Sequence, residues 1–240
     1  MKAFSILETG SRRKNNEDAL LALTNIGLFA VADGMGGHNA GEVASGIAIE
    51  SLKNNAEKLK DIPVDGIEQW VLDTVKEANQ AIFERSLYEE GVEGMGTTLT
   101  ALVIKKDKAV IGHVGDSRIY LWRDGSISLL SEDHSMVNEL LRMGQLSEED
   151  ARNHPQRNYL SRALGIEKQV DVDCLQFEVQ GGDVYLLCTD GFSNMVEKEE
   201  IAREFSAAGG WQEHLENLKL LVLQRGAPDN FTAVCCIMEN

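Results

Sequence analysis

The sequence predicts an α+β fold in which antiparallel sheets are covered by helices. Three observations carry this. Apolar, strand-like runs come in succession and are joined by short turns such as Arg123-Asp124-Gly125-Ser126, the kind of Asp-Gly connection that favours hairpins. Helical periodicities also come in pairs, rather than one after each strand as a parallel sheet requires. The 240 residues carry 43% hydrophobic and 26% charged side chains, an ordinary globular composition. With three prolines and no Gly/Ser-rich linker, repeat or low-complexity stretch, residues 1–240 read as a single domain.

In chain order, residues 3–8, 18–24 and 27–33 read as strands, the third apolar right up to Asp33. Val43, Ile47, Leu52, Ala56 and Leu59 recur at helical spacing, and so do Val71, Val75, Ala78 and Ile82. Strands follow at 97–104, 109–115, 117–123 and 126–131, with Lys105-Lys106-Asp107-Lys108 as one of the turns between them. Residues 132–168 are polar and irregular, with short helical pieces such as Val137-Asn138-Glu139-Leu140-Leu141. Strands at 171–178 and 183–189 are joined by Gln180-Gly181-Gly182; helices near 197–207 and 211–225 and a strand at 231–238 complete the pattern.

Several functions are disfavoured by composition. A formal charge of −16 repels a nucleic-acid backbone. Nothing approaches the roughly 18 consecutive apolar residues of a membrane span, and residues 1–8 lack the apolar core of a signal peptide. A cytoplasmic protein is expected. Cys174, Cys188, Cys235 and Cys236 lie in strand-like runs without a C-x-x-C pair, so they read as reduced, buried hydrophobes rather than a zinc or redox site.

The chemistry lies in a repeated pattern: an apolar strand ends in Asp, and a turn residue follows. It occurs at Val31-Ala32-Asp33-Gly34, Val114-Gly115-Asp116-Ser117 and Leu187-Cys188-Thr189-Asp190-Gly191, while Asp229 stands just before the last strand. Any one alone reads as a turn. Together they point to carboxylates converging on a cation, because such groups repel one another unless positive charge lies between them. Hard oxygen donors without a His/Cys cluster suit Mg²⁺ or Mn²⁺ better than zinc. Arg13, in Arg13-Lys14-Asn15-Asn16-Glu17-Asp18, offers a planar guanidinium suited to phosphate, and Glu17 and Asp18 add two carboxylates. A glycine-rich turn after Asp33 ends in the titratable imidazole of His38.

The order of these segments resembles the PPM family, the protein phosphatase 2C-like metal-dependent serine/threonine phosphatases, and its compact bacterial members in particular. The resemblance also takes in Gly41-Glu42, Ala44-Ser45, Met95-Gly96-Thr97-Thr98, Ser117-Arg118-Ile119-Tyr120, His154-Pro155-Gln156-Arg157-Asn158, Arg162-Ala163-Leu164-Gly165, Thr189-Asp190-Gly191-Phe192 and Asp229-Asn230-Phe231-Thr232. It implies a β-sandwich of two antiparallel sheets flanked by helical pairs, in α-β-β-α layers, with a metal centre at one edge. It further implies that Asp33 bridges two Mn²⁺ or Mg²⁺ ions, that the Gly34 carbonyl ligates one, and that Asp190 and Asp229 hold the other. Bacterial relatives often carry a third, weaker cation, which here falls to Asp116 and Asp190. Glu17 and Asp18 act on the metal waters, Arg13 binds the substrate phosphate, and residues 132–168 correspond to a mobile flap. The implied reaction is attack of a metal-bridging hydroxide on phosphoserine or phosphothreonine, with His38 the nearest proton donor for the leaving oxygen. The implied partners are phosphorylated proteins made by a cognate kinase, and the implied state is a monomer.

Three departures stand out. Asn194 takes a place where many relatives have Asp, Ala227-Pro228 before Asp229 is not the commonest pairing, and Met35 directly follows Asp33-Gly34, where eukaryotic members commonly have their histidine. Competing readings are a non-catalytic phosphoprotein-binding module on the same fold, which the loss of a metal aspartate would signal, and a metallohydrolase of small phosphate esters.

Overall fold

The computed structural model describes residues 1–37, 40–147, 150–151, 154–156 and 158–239. Among these residues the chain forms two antiparallel sheets. One contains, in spatial order, β1 (Lys2–Glu8), β11 (Phe231–Ile237), β10 (Val184–Cys188), β7 (Arg118–Arg123) and β8 (Ser126–Leu129). The other contains β2 (Asp18–Leu23), β3 (Leu28–Met35), β5 (Leu99–Lys105), β6 (Lys108–Val114) and β9 (Asp173–Glu178). A short β4 (Gly96–Thr97) pairs with the end of β3.

Alternation along the strands builds the layers. Phe29 and Val31 of β3 point between the sheets, where they meet Leu102, Ile111, Ile119, Tyr185 and Leu187. Their neighbours Leu28, Ala30 and Ala32 point the other way, onto α1 (Ala40–Asn55) and α2 (Ile67–Tyr88). On the sheet that holds β11, Phe231, Ala233 and Cys235 face α5 (Lys198–Phe205) and α6 (Trp211–Gln224), while Val234 and Cys236 face the sheet that holds β3. Because both faces of each sheet are covered, the central strands read as continuous apolar runs rather than alternating ones. The result is the expected α-β-β-α sandwich. Each large side chain buried here contributes about 1.5–3 kcal/mol.

The boundaries moved where polar groups intervene. The periodicity through Leu59 predicts one long first helix, but α1 stops at Asn55 and a tight turn covers Ala56–Lys60. The Lys105 ammonium takes the carbonyls of Leu59 (2.5 Å), Lys60 (3.1 Å) and Ile62 (2.5 Å), giving the turn's carbonyls a partner outside the helix. The predicted strand 97–104 is interrupted at Thr98, whose amide leaves the ladder to donate to the Asp33 carbonyl at 2.9 Å. Within 132–168 the described residues include α3 (Met136–Arg142), capped by the Ser135 hydroxyl accepting from the Asn138 amide, and isolated bridges Ser135–Leu160 and Thr97–Leu164. No helix among the described residues is long and apolar enough to cross a membrane. All four cysteines are free, and burial raises their thiols, that of Cys188 to about 12.

Candidate active site

The site is assembled at one end of the sandwich by strand ends. Asp18 opens β2 and Asp33 lies near the end of β3, and the antiparallel register makes them direct cross-strand partners. Two like charges facing each other are destabilising in a plain sheet, so the pairing itself needs a reason. Asp116 sits between β6 and β7, and Asp190 begins the helical turn α4 (Asp190–Ser193) that follows β10. Asp229 stands two residues before β11.

Gly34 lets the backbone close around these groups. Its amide donates to the Glu17 carbonyl at 3.0 Å. A Cβ at residue 34 would lie 2.0 Å from the Gly41 carbonyl oxygen and 2.6 Å from that of Glu17, so no larger residue fits.

The carboxyls report each other's charge. Burial pushes Asp33 well above the usual range, and the nearby Asp18, Asp190 and Asp116 push it further. Burial, then the charges of Asp190 and Asp133, raise Asp116 to about 8. Asp190 is raised by burial despite a hydrogen bond shared with Asp33. Glu17 is also raised, mainly by burial. Asp18, 6% exposed, is pushed up to about 7 by burial, against the nearby hydroxyls of Thr232 and Thr189. Thr189 donates to Asp18 Oδ2 at 2.8 Å, but neither Asp18 Oδ1 nor the Thr232 hydroxyl completes a hydrogen bond. Asp183 shows how a buried carboxylate is otherwise satisfied. It is 1% exposed and accepts from Arg123 at 2.7 and 2.6 Å and from the Gln180 amide and the Tyr185 hydroxyl at 2.9 Å each. Burial would raise that carboxyl, but these donors hold it below the usual range.

Arg13 forks onto Asp229, with Nε 2.7 Å from Oδ1 and Nη2 2.8 Å from Oδ2. Both partners are partly solvent-exposed, so the guanidinium stands at the mouth of the site. Asn194 donates to Asp190 Oδ2 at 3.2 Å, so the departure from aspartate puts a neutral donor against that carboxylate. Asp33, Gly34, Asp116, Asp190, Asp18, Glu17, Asp229 and Arg13 are thus brought to one end of the fold, while His38 lies outside the described residues.

Three supporting residues carry no assigned role in the sequence reading. Thr189 bonds Asp18, and Thr98 accepts the Asp33 amide at 2.9 Å. Asn230 pins the loop that carries Arg13 and Glu17: its Oδ1 accepts from the Glu17 amide at 2.9 Å, and its Nδ2 donates to the Thr9 and Asn15 carbonyls at 2.8 and 3.0 Å. Their sequence signal is membership of the segments Met95–Thr98, Thr189–Phe192 and Asp229–Thr232 that carry the resemblance.

Among the described residues no three Asp, Glu, His or Cys side chains stand together as a group that could hold a metal ion. The match to a divalent cation rests on donor chemistry: hard carboxylate oxygens, raised by burial and mutual repulsion, with an orphaned buried oxygen at Asp18.

Such a sandwich, with a carboxylate-rich strand edge and a guanidinium at its mouth, sets hard oxygen donors beside a group suited to phosphate. The sequence matches the protein phosphatase 2C family over residues 10–220, and the chain belongs to that family. It is 39% identical over 231 residues to the serine/threonine phosphatase stp of Listeria monocytogenes, covering 95% of this chain and 92% of the relative. It superposes on the serine/threonine phosphatase PstP/Ppp of Mycobacterium tuberculosis with a TM-score of 0.92 at 37% identity, over 100% of this chain and 99% of the other. It also matches a PstP catalytic domain in complex with two manganese ions, with a TM-score of 0.89 and 35% identity over 100% and 98% of the two chains. The family enzymes are hydrolases, and this chain is an enzyme of that kind.

Proposed function

We propose that residues 1–240 form one catalytic unit that hydrolyses phosphoserine and phosphothreonine in proteins, using Mn²⁺ or Mg²⁺ held by Asp33, the Gly34 carbonyl, Asp190 and Asp229. A weaker cation site falls to Asp116 and Asp190. The observation that carries this reading is the packing of Asp18, Asp33, Asp116 and Asp190 at one edge, each carboxyl raised by burial. When bound, such cations would offset the crowded negative charge and lower the pKa of a nearby water.

The chain's own groups do the rest. Arg13 is held beside the carboxylates by Asp229, and its outward position lets it grip two oxygens of an incoming phosphate and orient the phosphorus toward the site. Asp18 Oδ1 is buried without a hydrogen-bond partner, and Glu17 stands next to it in the chain; we assign both to accepting hydrogen from water at the cation site. A seryl or threonyl oxygen is a poor leaving group and needs a proton, for which we assign His38. The Cys188, Cys235 and Cys236 thiols are buried and raised, which supports hydrolysis without a cysteinyl intermediate. The substrates are phosphoproteins made by a serine/threonine kinase, and the enzyme works as a monomer in the cytoplasm, where it transmits a phosphorylation signal.

The test is a side-by-side assay of a phosphothreonine peptide, a phosphotyrosine peptide and a sugar phosphate, with Mn²⁺ and with a chelator. Metal-dependent turnover of the phosphothreonine peptide, abolished in Asp33→Asn, is expected. Turnover in the chelator, or preference for the sugar phosphate, would overturn the proposal.

A further inference from the structure

A buried polar path runs behind the carboxylates. The Asp33 amide donates to Thr98 Oγ1 at 2.9 Å, and Thr98 Oγ1 lies 2.7 Å from Ser117 Oγ. The Ser117 carbonyl is 3.1 Å from Thr100 Oγ1, which in turn lies 2.9 Å from His113 Nδ1. His113 Nε2 reaches the Glu132 carbonyl at 3.0 Å. Thr98, Thr100, His113 and Ser117 are each no more than 2% exposed. Thr100 and His113 are cross-strand partners in β5 and β6, so the sheet register fixes their meeting.

The direction of each bond follows from chemistry. A carbonyl only accepts, so His113 Nε2 must carry the hydrogen toward Glu132. Burial, and then the neighbouring ring of His134, lower the His113 pKa to about 4, so the ring is neutral and carries one hydrogen. Nδ1 is therefore bare and accepts from the Thr100 hydroxyl. That hydroxyl has a single hydrogen and two acceptors, Nδ1 and the Ser117 carbonyl, and His113 decides how it is shared.

The two ends of the path matter differently. Glu132 begins the segment 132–168, and the next residues hold the same region: Asp133 is forked by Arg118, and His134 both donates its amide to the Gly115 carbonyl at 2.8 Å and accepts the Gly115 amide on Nδ1 at 3.0 Å. Ser117 is next to Asp116, and Thr98 seats Asp33.

We infer that His113 is a positioning residue whose two ring nitrogens serve two different ends: Nδ1 holds the Thr100–Ser117–Thr98 group that seats Asp33 and Asp116, and Nε2 holds the base of segment 132–168. This rests on the reading of those aspartates as cation ligands and of 132–168 as a substrate-contacting flap. A histidine serving only as filler would give one undivided effect when replaced.

The experiment separates the two nitrogens. Asparagine keeps an acceptor where Nδ1 stood but does not reach Glu132; glutamine keeps a donor where Nε2 stood but removes the Nδ1 acceptor, so the Thr100 hydrogen passes wholly to the Ser117 carbonyl and the residue beside Asp116 shifts. Mn²⁺ affinity is read from free Mn²⁺ by electron paramagnetic resonance, and KM from a phosphothreonine peptide. His113→Gln should weaken Mn²⁺ binding by about fivefold, the factor that accompanies loss of one ordinary hydrogen bond, with peptide KM near wild type. His113→Asn should show the reverse pattern: a KM raised by about the same factor and Mn²⁺ affinity near wild type. Thr100→Val, which keeps shape and removes the hydroxyl with both of its bonds, should weaken Mn²⁺ binding at least as much as the Gln variant, with peptide KM near wild type. Equal changes in the two histidine variants, or Thr100→Val with wild-type Mn²⁺ affinity, would overturn the inference. Asp33→Asn is the control for the underlying reading: undiminished Mn²⁺ binding in that variant would overturn the metal site itself, and with it the role of His113.

Discussion

Replacing Asp18 by asparagine should make the metal-free protein more stable while damaging its response to metal. Asp18 is 6% exposed, one of its oxygens lacks a partner, and its pKa is pushed up to about 7. A folded-state pKa above the unfolded value means that the proton stabilises the fold: stability is fully present below about pH 4 and is lost as pH rises through about 7. From 3.8 to about 7 the difference corresponds to roughly 4 kcal/mol at pH 8, an upper bound that relaxation of the site reduces. The amide removes the charge and keeps an oxygen for the Thr189 hydroxyl, and its NH₂ group is placed near the Thr232 hydroxyl, which has no partner of its own. At pH 8 in a chelator, Asp18→Asn should therefore melt above wild type by roughly 4–16 °C, taking a gain of about 2–4 kcal/mol for a chain of this size. The gain should shrink as pH falls toward 4, where the wild-type carboxyl is already neutral. Added Mn²⁺ should raise the wild-type melting temperature more than that of the variant. A variant that melts at or below wild type at pH 8 without metal would refute the reasoning, since Asp18 would then not be a destabilised carboxylate.

Arg13→Ala should raise KM for a phosphothreonine peptide and lower kcat, because the guanidinium contacts phosphate in ground and transition states; thermal stability should change little, as an ion pair this exposed contributes only about 0–1 kcal/mol. Steady-state kinetics matching wild type would remove it from the phosphate site. His38→Ala should slow phosphothreonine-peptide hydrolysis by ~10²-fold and p-nitrophenyl phosphate hydrolysis much less, because a phenolate leaves without a proton; equal losses on the two substrates would exclude proton donation. Gly34→Ala should lower both melting temperature and Mn²⁺ affinity, since the new Cβ would fall 2.0 Å from the Gly41 carbonyl oxygen and the backbone under Asp33 must shift. A crystal structure of that variant with β3 unmoved would contradict this.

The strands and the acidic edge were legible because their signals are local. Val31-Ala32-Asp33-Gly34 announces an apolar strand, its end and a close backbone approach within four residues. The partners were not legible. Nothing near Asp18 says that it faces Asp33, and nothing in residues 2–8 says that they pair with 231–237. Thr98, Thr100 and His113 read as ordinary strand residues, because β-branched hydroxyls fit a half-exposed sheet as well as a buried one. Only knowing that both faces of β5 and β6 are covered turns their polarity into a question about hydrogen-bond partners. The early end of α1 was hidden for the same reason, since Lys105 reaches it from the far end of β5.

The pairing of β1 with β11 also sets a clock on synthesis. Arg13 and Asp229 are 216 residues apart, Asn230 and Thr9 are 221 apart, and Ser11 of the same loop bonds the carbonyls of Gly226 and Ala227. A chain still on the ribosome at residue 225 has its first strand without its sheet partner, Arg13 without Asp229 and the acidic edge one carboxylate short. At about 5–20 residues per second, that condition lasts roughly 11–45 s. Contacts so distant in sequence close late and lend nothing to the early stages of folding. On the proposed assignment of Asp229 to the cation site, a nascent chain or a fragment that ends short of β11 should lack phosphatase activity and leave phosphorylation marks in place.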